Sequence, residues 1–305
     1  MITIKKRYLR YLCGLGFILA MVGVATLFQD TELILPEIGA LTAGTWLYRK
    51  PTWIQQPFKL FLVPSGTAVI GFFINKMAWS YPLKVAVGVA LMLGLMKVLR
   101  SNLAPAFATG LLPIIINATH WSFIVAIFFW TLSLMTGVFL INHRNGKPVM
   151  NKQTIKPLQM LGFGALVATW VVMVWLLGQP QMAAIPPVIV VLFEAIQSPT
   201  YSTKLAGKQW VALVGAASLG VGIHWLTASW LLTTVIALPL VCVLLAVLKL
   251  RLPAAYAFPL LALVLPTNME TTLPIAAAGS ATLFLGGLLL YRTLVDWLIP
   301  AMIHE

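Results

Sequence analysis

The chain has 305 residues, of which 60% are hydrophobic and only 9% charged, with a mean hydropathy of +0.96 and a formal net charge of +13. A soluble chain carries about a quarter charged residues, so this composition excludes a water-soluble domain and defines a polytopic membrane protein. Cys13 and Cys242 both lie inside apolar runs, which excludes a disulfide framework or a cysteine metal site.

In chain order, the start MITIKKRYLRYLCGLGFILAMVGVATLF joins basic residues to an apolar stretch long enough to span, with no small-residue cleavage site at its end. It reads as a retained first helix rather than a signal peptide. Twelve apolar segments follow one another at 8–28, 33–48, 60–75, 83–98, 103–116 and 121–141, then 158–178, 182–196, 209–226, 228–248, 252–266 and 273–294. Their unbroken apolarity argues for helices, since barrel strands alternate in polarity. Four of them, 33–48, 103–116, 182–196 and 252–266, are short, and each contains proline. At 1.5 Å per residue, about 15 residues cover roughly 22 Å of a hydrocarbon core roughly 30 Å thick. These segments are expected to be broken, tilted or re-entrant, which is tolerated where protein or a wet cavity surrounds them.

The segments fall into two sets of six in the same order. Lys59 pairs with Lys208, Gly71 with Gly220 and Asn75 with His224, each 149 residues apart. Pro36 with Pro186, Pro51 with Pro199 and Pro105 with Pro253 keep the same order within a residue. The pattern predicts an all-α fold of about 12 transmembrane or partly re-entrant helices in two repeats, 1–142 and 158–305, joined by a basic cytoplasmic linker at 143–157. Six segments per half make the repeats parallel, and matched prolines and glycines inside apolar segments point to a transporter's binding region.

Charge sets the orientation. With the amino terminus in the cytoplasm, eighteen of the twenty Lys and Arg fall on the inner side, and only Lys76 and Lys84 fall outside. The positive-inside rule then predicts a multi-pass protein of the cell (inner) membrane with both termini cytoplasmic. The positive charge is a topology signal and not a nucleic-acid footprint, because no surface interleaves basic and aromatic residues. Inner cations attract anionic lipid headgroups at about 1 kcal/mol each.

IGALTAGTW (38–46), KPTWIQQPFKLFLVPSGTAVIGFF (50–73) and LAPAFATGLL (103–112) carry a glycine–alanine-rich helix, Gln56-Pro57 before the next helix, and Pro105-Ala106 near the end. In this order the chain resembles the HPP family of integral membrane proteins, although the name-giving His-Pro-Pro is absent. The second half, at 185–221, looks equally like the fusaric-acid-resistance and aromatic-acid-exporter group. The resemblance implies small-anion transport.

Polar residues inside apolar segments supply the candidate site. Glu37 and Glu194 lie in the second segment of each half, out of register with one another; each is either a proton-coupling group or a solvated carboxylate at a segment end. Ser65 and Thr67 follow Pro64, where a kink exposes backbone groups suited to an anion, while close helix packing explains the same residues. Lys59 and Lys208 form an electrostatic vestibule or snorkel to headgroups. Gln56 caps its helix or contacts a ligand. Asn75, Asn117, His224 and Asn268 line an outer gate or face water.

No HExxH, CxxC, phosphate loop or GxSxG is present, so no enzyme, metal or cofactor is expected. The expected function is transport of a small anion or organic acid between the two repeats. The alternatives are an anionic-lipid binder or flippase and a non-transporting scaffold, and the apolar faces leave a homodimer open.

Overall fold

The computed structural model describes residues 2–145 and 156–303, so most of the linker expected at 143–157 lies outside the described residues. Those residues form helices and no strand, in the order α1 (Ile2–Phe28), α2 (Pro36–Thr42), α3 (Pro51–Ile54), α4 (Pro57–Asn75), α5 (Tyr81–Val98), α6 (Pro105–Ile115) and α7 (Trp121–Asn145), followed by α8 (Pro157–Leu176), α9 (Pro186–Gln197), α10 (Thr203–Thr227), α11 (Trp230–Val247), α12 (Ala257–Val264), α13 (Thr267–Glu270) and α14 (Leu273–Ile303). Eight of these, α1, α4, α5, α7, α8, α10, α11 and α14, are long and apolar enough to cross a membrane. Their lipid-side faces carry exposed Leu, Phe, Val and Trp, as hydrocarbon contact requires.

Four short elements form the interior. Every residue of α2, α6 and α12 is buried, and in α9 all but Glu194 and Gln197 are. Each of these segments opens on a proline, Pro36, Pro105, Pro186 or Pro253. Proline suits a first helical turn because its missing N–H would have no partner there and its φ is already helical. Two expected segments divide further. Segment 33–48 becomes a 3₁₀ turn at Thr31–Leu33, extended residues, α2, and a π-helical turn at Ala43–Leu47. The extended break precedes Pro36, which disfavours helix in the residue before it. Segment 252–266 becomes a 3₁₀ turn, Pro253–Tyr256, running into α12.

Packing is closest where glycine removes a side chain. A Cβ on Gly71 of α4 would lie 1.8 Å from the Gly110 carbonyl oxygen of α6, and one on Gly220 of α10 would lie 2.7 Å from Pro259 Cα. Between the residues before and after the linker, α1 packs on α11, α5 on α8, α6 on α9, and α2 on the stretch formed by Pro253–Tyr256 and α12.

Side-chain contacts tie the helix ends into two groups. At one end Glu32 accepts from the amides of Thr119 (2.9 Å) and His120, and Asn75 Nδ2 donates to Asn117 Oδ1 (3.2 Å) and the Ala118 carbonyl (3.0 Å). At the other, Lys59 Nζ donates to the Arg100 carbonyl (2.6 Å), Lys208 Nζ to that of Leu248 (3.0 Å), and Asn142 Nδ2 to that of Ile54 (2.6 Å). Several helices close on a left-handed residue that lets the last carbonyls be satisfied: Gln29 (φ 52°), Arg100 (48°), Gly178 (70°), Ala228 (46°) and Lys249 (55°).

Candidate functional site

The chemistry concentrates along the second segment, from Glu37 to Lys50. Pro36 starts α2 and places Glu37 in its first turn, 1% exposed. Neither carboxyl oxygen of Glu37 accepts a hydrogen bond from another described residue. Buried polar groups in folded proteins are almost always partnered, and a buried carboxylate without a partner costs several kcal/mol in hydrocarbon. Carrying a proton removes most of that cost. Thr42, one and a half turns further on, is fully buried, and its hydroxyl also lacks a partner.

Gly39 brings α2 against the 3₁₀ turn Pro253–Tyr256: a Cβ there would lie 3.1 Å from the Tyr256 carbonyl oxygen. The Tyr256 side chain, 0% exposed, reaches the far end of the same segment, where its hydroxyl lies 3.0 Å from that of Tyr48 and 3.1 Å from Cys242 Sγ. The π-helical turn at Ala43–Leu47 separates Thr42 from Tyr48, and Gly44 within it leaves room for the Trp53 ring. Single π turns of this kind often mark functional positions.

Lys50 ends the segment. Its ammonium lies 2.7 Å from both oxygens of Glu194 on α9, and 4.7 Å from the centre of the Trp53 ring. The pair borders a cavity of about 360 Å³ lined also by Asn102, Ser198, Tyr201 and Gln209. That volume sits at the small end of ligand pockets. Arg292 is anchored beside it, donating to the Ala195 and Ser198 carbonyls with its guanidinium 5.5 Å from the Tyr201 ring centre. Burial pushes the Tyr201 hydroxyl pKa up, while the Arg292 charge opposes that shift. With two cations against one carboxylate, the mouth carries a net positive charge that suits an anion.

The other sequence candidates do not converge on this file. Ser65 Oγ lies 3.4 Å from Thr131 Oγ1, while Thr67 Oγ1 contacts its own helix at Val63 and Pro64 and Thr109 Oγ1 at 2.7 Å. These hydroxyls knit α4 to α6 and α7. Lys59 and Lys208 spend their ammonium donors on carbonyls at the ends of α5 and α11. Gln56 occupies the N-cap of α4 without a side-chain capping bond. Asn75 and Asn117 bond one another at the opposite end. His224 Nδ1 lies 3.2 Å from Thr233 Oγ1, and burial pushes the Glu270 carboxyl pKa up, with His224 opposing the shift. The side chain of Asn268 lies outside the described residues.

Residue-by-residue reading missed the contact of Tyr48, Tyr256 and Cys242 and the pairing of Lys50 with Glu194. A tyrosine in an apolar run looks like core, and the Lys50–Glu194 pair joins residues 144 apart. The signal available was Glu194 itself, a carboxylate in an apolar helix in need of a cation.

The helices and the polar file at their centre are those of a multi-pass helical membrane protein. Compared with family models, characterised proteins and solved structures, the chain finds no match.

Proposed function

We propose that this chain is a proton-coupled transporter of a small anion or organic acid, of the HPP kind, with twelve membrane crossings in two parallel repeats. The observation that carries the reading is Glu37: an unpartnered carboxyl among short, buried, proline-headed helices. Intramembrane ionisable groups mark ion and proton pathways, and broken segments at the meeting of two repeats are where transporters bind their cargo.

Several features support the duplication. Gln29 and Gly178, and Arg100 and Lys249, are left-handed caps 149 residues apart, the spacing that also relates Lys59 to Lys208. Each of those lysines reaches the carbonyl just beyond the following long helix. Contacts between the halves are reciprocal: α1 on α11 corresponds to α8 on α5, and α2 on the Pro253–Val264 stretch corresponds to α9 on α6. Such reciprocity is the signature of a two-fold relation.

In this reading Lys50–Glu194 closes the cytoplasmic mouth, joining the second segment of one half to that of the other. Rocking of the halves opens it, and Glu37 takes up or releases a proton as it meets water. The test is anion-driven proton movement in proteoliposomes, followed with a pH dye over a panel of inorganic anions and organic acids. Glu37→Gln is expected to abolish proton coupling while the protein stays folded. Wild-type liposomes inert to the whole panel would overturn the assignment.

A further inference from the structure

The two contacts between the halves differ sharply in polarity. The second segment, which packs through α2 on Pro253–Val264, carries Glu37, Thr42, Thr45 and Tyr48, and the facing stretch carries Tyr256. On the pseudo-equivalent α9 against α6, the same positions hold Pro187, Leu192, Ala195, Ser198 and Ala108. That second contact is sealed by Phe107, Phe163 and Phe193, with ring centres 4.8 to 5.2 Å apart. A symmetric scaffold therefore carries one polar file and one dry seam.

We propose that the Tyr256 and Tyr48 hydroxyls form a proton relay connecting Glu37 to the cavity at Lys50–Glu194. The inference rests on the proton-carrying reading of Glu37. The geometry supplies the order. Along the segment the polar groups run Glu37, Thr42, Tyr48; Gly39 packs on the Tyr256 backbone, and the Tyr256 hydroxyl lies 3.0 Å from that of Tyr48. Lys50 and its partner Glu194 follow two residues later. Of the elements packed on α2, α6, α12 and the π-helical turn bring no ionisable side chain and the 3₁₀ turn brings only Tyr256, while α1 carries its ionisable residues before Gly14 and α7 carries them only at His143 and Arg144. Thr42, with its free hydroxyl, stands between the carboxyl and the tyrosines along the segment.

The proton count closes. The Glu37 proton passes over bridging water to the Tyr256 oxygen, as Tyr256 gives its own proton to the Tyr48 oxygen. Tyr48 in turn releases one to the Glu194 carboxylate or to cavity water. Both tyrosines end neutral, Glu37 ends as a carboxylate, and one proton has moved to the cavity. Cys242 Sγ, 3.1 Å from the Tyr256 oxygen, holds that hydroxyl in line.

The experiment is hydrogen–deuterium exchange at Glu37 in lipid nanodiscs. It is read from the infrared carbonyl band of a protonated carboxyl that Glu37→Gln removes, after a rapid change to heavy water. Tyr256→Phe and Tyr48→Phe are each expected to slow exchange by on the order of a hundred-fold, and the double variant no further, because both interrupt one chain. Ser280→Ala, which removes a buried hydroxyl of α14 bonded only to its own helix at Ala276 and Ala277, exchanges at the wild-type rate. If Tyr256→Phe lowers the melting temperature severely, Tyr48→Phe, at the more accessible end, gives the decisive measurement. Wild-type exchange rates in the tyrosine variants overturn the relay, as does a Glu37→Gln spectrum that loses no protonated-carboxyl band. Tyrosine-dependent exchange in a protein that moves no anion would remove the transport reading and leave the relay. Proton-coupled anion flux with unaltered exchange in both variants would do the reverse.

Discussion

Three carboxyl groups in this protein meet three different fates. Glu194 has a cation at 2.7 Å, Glu37 has nothing, and Glu270 is 7% exposed with one oxygen unpartnered. For Glu270, burial raises the pKa above its ordinary 4.5 while His224 pulls it down. The folded state then holds the proton more tightly than the unfolded chain, so stability falls as pH rises above the ordinary carboxylate value. Glu270→Gln is accordingly expected to raise the melting temperature at neutral pH and to leave it unchanged well below pH 4.5, where both states are protonated. At the Lys50–Glu194 pair, both side chains keep about a quarter of their exposure. Lys50→Met or Glu194→Gln alone should cost about 1 to 2 kcal/mol, between the values for exposed and buried pairs, and the double variant less than the sum. Denaturation of all three variants closes that cycle. Glu37 could be read from the sequence because a carboxylate in an apolar run is conspicuous. Its lack of a partner could not, since that depends on which side chains arrive from 200 residues further along the chain.

At the level of the element, the sequence spoke most clearly through proline and glycine. Pro36, Pro105, Pro186 and Pro253 each open a short helix, and the breaks at these points follow from backbone chemistry that needs no tertiary context. The π-helical turn at Ala43–Leu47, where the Trp53 ring fills the space over Gly44, had no such backbone signal in the sequence. Glycine contacts give a graded prediction. Gly71→Ala would push a methyl into the Gly110 carbonyl, and should cost about 1–3 kcal/mol or more by forcing α4 from α6. Gly207→Ala, with nothing within 4 Å, should be close to neutral. Ala228 offers the opposite case. It caps α10 at φ 46° with no polar side chain to ease the left-handed conformation, so Ala228→Gly should stabilise by about 1 kcal/mol. Thermal unfolding in one detergent ranks the three.

For the whole molecule, eight helices are long and apolar enough to cross a membrane, and the roles of α2, α6, α9 and α12 turn on which end each short helix reaches. The contacts bear on this directly. The chain before α2 sits with Thr119 and His120 through Glu32, whereas the chain after it holds Asn142 through the Ile54 carbonyl. Those partners bracket α7, itself long enough to cross, so the second segment must run from one end of the molecule to the other despite its length. Charge adds a direction: Arg49, Lys50, Lys59, Arg100, Lys204, Lys208, Lys249 and Arg251 gather at the end that holds Ile54, and Lys76 and Lys84 at the end that holds Glu32. In the proposed topology the positive-inside rule turns the first end to the cytoplasm. With Cys13 and Cys242 replaced, single cysteines at the exposed positions Thr119, Thr52 and Thr203 separate the topologies. An impermeant maleimide on intact cells should label Thr119→Cys and reach Thr52→Cys and Thr203→Cys only after the membrane is opened. Labelling of Thr52→Cys from outside would mean that the second segment turns back within the bilayer. Glu37 and Lys50 would then face the same compartment, and a path between them could move nothing across.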